Sequence, residues 1–106
     1  MKRLVAIEWK ATDTLGLISR ATAKYTSKQG LKAARPCGGV FKGFDDRWHA
    51  AFGQVRYTKE FDKFGDAEVS LGQYDSQVQA QRALEDYVFN LARLEAWPSD
   101  RSEKEQ

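Results

Sequence analysis

Residues 76–94 read SQVQAQRALEDYVFNLARL. The opening Ser76-Gln77-Val78-Gln79 has the form of a capping box, in which the Ser76 hydroxyl accepts from the backbone N–H of Gln79 and the Gln79 side chain reaches back. Behind it Ala80, Ala83, Leu84, Tyr87, Val88, Leu91 and Leu94 recur at spacings of three and four, the mark of one apolar face on a helix of about five turns. Gln81, Arg82, Glu85, Asp86 and Arg93 fall largely outside that stripe, and Pro98 closes the segment just after Trp97. An amphipathic helix of this length needs a surface to lie on.

The preceding residues supply one. Gly39–Lys42, Arg47–Tyr57 and Ala67–Tyr74 read as strands, separated by Gly43-Phe44-Asp45-Asp46 and by the longer stretch Thr58–Asp66, and short connections make them antiparallel neighbours. In the middle strand Trp48, Ala50 and Phe52 alternate with His49, Ala51, Gly53 and Val55, so the bulky side is the expected core side.

Toward the amino terminus, Arg3–Trp9 alternates as a strand does, with Val5, Ile7 and Trp9 on one side. Leu15, Ile18 and Tyr25 fit a helical face over Asp13–Gln29 if Thr22 is tolerated there, Gly30 supplies a stop, and Lys32–Gly39, with Pro36 and Gly38-Gly39, reads as a loop. The expected fold is therefore α+β: a three-stranded antiparallel sheet packed by a C-terminal amphipathic helix, with an additional N-terminal strand and helix. It divides into a basic extension over residues 1–38, a β-β-β-α unit over 39–95, and a charged tail over 96–106 that is expected to fray.

The 106 residues are 42% apolar and 30% charged, enough for one core, and three Trp, four Tyr and six Phe carry much of the area it can bury. The single Cys37 has no intramolecular disulfide partner, and Leu4-Val5-Ala6-Ile7, the longest aliphatic run, is far short of the ~20 residues that cross a bilayer. A soluble, cytoplasmic protein without disulfides is the expectation. The net charge of +2 hides an asymmetry: residues 1–38 hold eight basic against two acidic side chains, a balance of +6, whereas residues 39–95 hold seven against ten, a balance of −3.

Gly39-Val40, Arg47-Trp48-His49-Ala50-Ala51-Phe52, Ser70-Leu71-Gly72-Gln73-Tyr74-Asp75-Ser76, then Ala80, Ala83 and Tyr87, together resemble an AP2-type DNA-binding domain, whose plan is shared by the amino-terminal domains of some integrases. The resemblance covers about half the chain. It implies that the sheet face opposite the helix lies in the major groove of duplex DNA. The positions that would read bases are here Phe41, Gly43, Ala51, Gly53, Glu68 and Ser70, none of which can make a bidentate contact to guanine. The residues that match are those that build the fold.

Candidate sites follow from residue chemistry. His49, the only histidine, has no nucleophile elbow near it, and one His with one Cys makes no structural zinc set, so no catalysis, cofactor or metal is expected. Asp45-Asp46 and Glu60, Asp62 and Asp66 read as solvated turn formers. Arg20, Lys24 and Lys28 repeat every four positions, a stripe along the expected first helix that suits phosphates as well as it suits a solvated face and that Lys32 and Arg35 extend, and Lys42, Arg47, His49 and Arg56 complete the candidate nucleic-acid contacts. Phe41, Val55, Phe61 and Phe64 are candidate contacts for a protein partner, the alternative being that Phe41 and Val55 are covered as core and that Phe61 and Phe64 pack as a satellite cluster under their loop. Two functions stand at this point. One is a small non-catalytic protein that binds duplex DNA through its basic N-terminal segment, with groove contact by the sheet. The other is a protein-interaction module, such as an accessory or inhibitor protein of bacterial or phage type.

Overall fold

The computed structural model describes residues 3–97. Five strands, β1 (Arg3–Ala11), β2 (Ile18–Thr26), β3 (Lys32–Lys42), β4 (Trp48–Thr58) and β5 (Lys63–Tyr74), precede a single helix, α1 (Gln77–Arg93). The strands form one antiparallel sheet in the order β1-β2-β3-β4-β5. This corrects the expected architecture: the sheet has five strands, not three, and the N-terminal helix is absent, its residues forming a second hairpin strand.

The physical reason lies in Ile18–Thr26. Ser19, Ala21, Ala23 and Tyr25 turn inward and are buried, while Ile18, Arg20, Thr22, Lys24 and Thr26 turn outward. Because three of the four inward residues are small, the two-residue period carries little hydrophobic contrast, and a spacing of four between Arg20 and Lys24 fits a strand face as well as a helix face. Asp13 is no helix start. Its carboxylate accepts the backbone N–H groups of Leu17 and Ile18 and so closes the loop between β1 and β2. Gly30, at φ 80°, serves the turn between β2 and β3.

The expected loop over Lys32–Gly39 is most of β3, which runs through the boundary drawn between residues 38 and 39. Pro36 is accommodated because the pairing with β2 slips between Ala21 and Thr22, where a missing N–H costs the ladder least.

The helix forms as its sequence dictates. Ser76 accepts from the Gln79 N–H at 3.2 Å and donates its own N–H to the Gln79 side chain at 3.1 Å. Ala80, Leu84 and Val88 are fully buried against the sheet, where Leu84 and Val88 meet Ala21, Ala23, Cys37 and Phe52. Leu94, just past the last helical residue, is exposed. Trp48, Ala50 and Phe52 do face this inner core, and Phe52 packs edge-on against both Tyr87 and Trp97. The residues beyond Trp97 lie outside those described, as does most of the expected charged tail. No helix among the described residues is long and apolar enough to cross a membrane.

The opposite face of the sheet holds a second core. The β4–β5 pairing shifts register three times between Ala50 and Arg56, and Gly53 adopts φ 127° in mid-strand, so the hairpin bends sharply. Its distal half folds back over the sheet. A side chain on Gly39 would lie only 3.0 Å from the Phe64 ring and 3.1 Å from a Val55 methyl, so these two residues cover β3. Phe41, Ala51, Val55 and Phe64 are thereby buried together.

Candidate nucleic-acid interface

The hairpin covers β3 and β4 but leaves the outer side of β1, β2 and the start of β3 open. Strand pairing places the side chains there in rows. Arg3, Thr26 and Lys32 form one row, and Ala6, Lys24 and Ala34 the next. Glu8, Thr22 and Pro36 make the third, followed by Lys10 and Arg20, whose β3 neighbour Gly39 is already covered by Phe64 and Val55. Arg3 shares this face because the irregularity between Leu4 and Ala6 inserts Val5 as an extra residue, leaving Val5 on the edge. The patch is about 20 Å along the strands and about 10 Å across them, from ordinary strand rise and spacing.

Arg3, Lys10, Arg20, Lys24 and Lys32 thus share one face that carries, among the described residues, a single carboxylate, Glu8, which meets Lys24 at 3.6 Å. Apart from Glu8, the described side chains between the cations are small or β-branched, so a ligand backbone can approach closely. Lys10 lies directly opposite Arg20, and among the described residues neither has an acidic partner. Like charges paired across strands are destabilising, so this arrangement costs the fold.

The structure sorts the other residues singled out in the sequence. Arg20, Lys24 and Lys32 come together on this patch, and Lys28 sits in the turn at its end. Arg35 does not join them. It turns to the inner face, where it is buried with its guanidinium 5.8 Å from the centre of the Trp97 ring. Lys42 pairs with Asp46 at 3.1 Å and Arg47 with Asp75 at 3.2 Å, away from the patch. Arg56 is exposed on β4, in the bent hairpin. Sequence reasoning missed Arg3 and Lys10. The alternation of β1 was visible, but which residues lie opposite Arg20 and Lys24 emerges only from pairing.

His49 is half-buried, stacked on Phe41 with ring centres 4.7 Å apart, and its Nε2 lies 3.0 Å from both oxygens of Asp45. That hydrogen bond first, and the Arg47 N–H second, hold the Asp45 carboxyl below its ordinary value. The pair orders the β3–β4 turn.

The candidate partner residues Phe41, Val55 and Phe64 are buried in the outer core, which removes the open apolar face they were expected to form. Phe61 is exposed at the hairpin tip, near Lys63. The tip is held down by Asp62, whose carboxylate accepts from the Tyr57 hydroxyl and from the Phe44 N–H, both at 2.8 Å. Partial burial and then this carboxylate push the Tyr57 phenol up to about 12. Burial, followed by the nearby Glu85 charge, raises the Cys37 thiol to about 12 as well, which makes it a core side chain and a poor nucleophile. Among the described residues no three His, Cys, Asp or Glu side chains gather in a way that could hold a metal ion.

Comparison of the chain with protein-family models, curated proteins and solved structures gives no match.

Proposed function

We propose that this protein is a small, non-catalytic binder of duplex DNA, and that it engages the phosphate backbone through the open face of β1, β2 and β3. The observation that supports this reading is the convergence of Arg3, Lys10, Arg20, Lys24 and Lys32 on one exposed face, where Glu8 is the only acid among the described residues. Lysine and arginine held on paired strands meet phosphates without needing to order a loop first. Among the described residues this face carries no Asn or Gln, and its two arginines, Arg3 and Arg20, stand at opposite ends of the patch, so phosphate contact is expected to dominate and binding to depend little on sequence.

The testing experiment is a titration on duplex DNA at several salt concentrations. If all five cations neutralise phosphates, the logarithm of the binding constant falls against the logarithm of salt with a slope of about −4.5. Absence of binding at low salt defeats the proposal.

A further inference from the structure

Sheets present unpaired backbone groups at their two edges, and proteins usually blunt such edges with bulges, charges, proline or a covering element. The β5 edge is blunted: its pairing is interrupted three times, Asp66 and Gly72 take positive φ, and Asp66 and Glu68 stand along it. The β1 edge is not. Its one irregularity lies between Leu4 and Ala6, which leaves Ile7–Ala11 as a regular strand without proline. On the inner side of this segment Ile7 and Trp9 are only half-buried at the margin of the core, and Trp9 is fixed by donating its ring N–H to Glu85 at 2.8 Å. On the open side Glu8 and Lys10 stand two residues apart with opposite charge.

We propose that Ile7–Ala11 pairs with the same segment of a second copy of this chain, antiparallel and centred on Trp9. In that register Trp9 faces its counterpart, Glu8 faces the second copy's Lys10, and Lys10 faces the second copy's Glu8. A two-fold axis perpendicular to the sheet relates the copies and keeps each face on its own side, so both helices remain on one face and both basic patches merge on the other. The choice of a second copy rests on charge. A two-fold contact must be complementary to itself, and Glu8 with Lys10 satisfies that condition on one strand. Lys10, opposed within its own chain by Arg20, gains a carboxylate on its other side. Helix α1 sits over β3, β4 and β5 more than over β1, which it meets on the inner face, where Glu85 holds Trp9.

The inference goes beyond the DNA-binding reading and is measured without DNA, so either can fail alone. Sedimentation of the full chain over a concentration series is expected to show a reversible dimer in the micromolar range. E8K and K10E each place like charges across the two-fold and are expected to weaken it about tenfold or more. The double variant E8K/K10E restores opposite charges in the swapped order and is expected to recover the dimer. A wild-type chain that stays monomeric to high micromolar concentration overturns the proposal, as do single variants that dimerise normally or a double variant without recovery. Independently, amide hydrogen exchange at Ile7–Ala11 is expected to slow as concentration rises, and exchange indifferent to concentration overturns the proposal.

Discussion

Arg20→Ala separates binding from folding, because the two respond with opposite sign. Arg20 is exposed on the middle strand at the end of the basic patch nearest the bent hairpin, opposite Lys10 on β1 and Gly39 on β3. Removing it relieves a cross-strand like-charge pair and is expected to stabilise the fold by about 0.2–1 kcal/mol, a range set by measured cross-strand pairs. It also removes one phosphate contact. With five contacts reduced to four, the salt slope moves from about −4.5 to about −3.6, and at physiological salt the loss of one released counterion corresponds to roughly fivefold weaker binding. Fluorescence anisotropy on a labelled duplex at four or more salt concentrations gives the slope, and urea denaturation gives the stability. An unchanged slope, or weaker binding accompanied by lower stability, refutes the reasoning, since the first means that Arg20 touches no phosphate and the second that it serves the fold.

Three further outcomes test the rest of the structure. Asp62→Ala strips the acceptor from the Tyr57 hydroxyl and the Phe44 N–H and should cost about 1–3 kcal/mol in denaturation; ultraviolet titration should show the Tyr57 phenol dropping from about 12 toward its ordinary value. Because the folded phenol sits above its unfolded value, its contribution in the intact protein holds below pH ~10 and is lost as pH rises through the folded value. His49→Ala should raise the Asp45 pKa, read by carboxyl NMR. Asp45 is depressed in the folded state, so its contribution is present above the ordinary carboxyl value and disappears as pH falls through the lower folded one, and the variant should show a smaller loss over that acid window. Cys37, buried and raised to about 12, should react with a disulfide reagent only as fast as the fold opens, so a rapid stoichiometric reaction under native conditions would contradict its placement.

The elements differ in how openly the sequence declared them. Helix α1 was legible because the Ser76–Gln79 box and the Ala80–Leu84–Val88 stripe agree, local chemistry and burial pointing the same way. β2 was not, since its inward residues Ser19, Ala21 and Ala23 are too small to print a two-residue hydrophobic rhythm. β3 was masked by Pro36, Gly38 and Gly39, residues that ordinarily mark loops; here Pro36 sits at a register slip, while Gly38 leaves room that Leu84 and the Ala51 carbonyl take up. The outer core was hidden for a different reason. Phe41, Val55 and Phe64 become neighbours only because β4 and β5 bend around Gly53, and the signal for that was a lone glycine in the middle of a strand. The basic patch was half legible: Arg20, Lys24 and Lys32 were visible as an excess of charge, but the assignment of Arg35 to the inner face and of Arg3 and Lys10 to the outer one depends on pairing between strands.

The account stands most directly on which surface meets DNA. Chemical-shift mapping of the labelled protein with a short duplex tests it: the account predicts that the largest changes fall on β1, β2 and the first half of β3, around Lys10, Arg20, Lys24 and Lys32, while the exposed side of α1 and β5 stays silent. Changes centred on α1 or β5, or none at low salt, would contradict it.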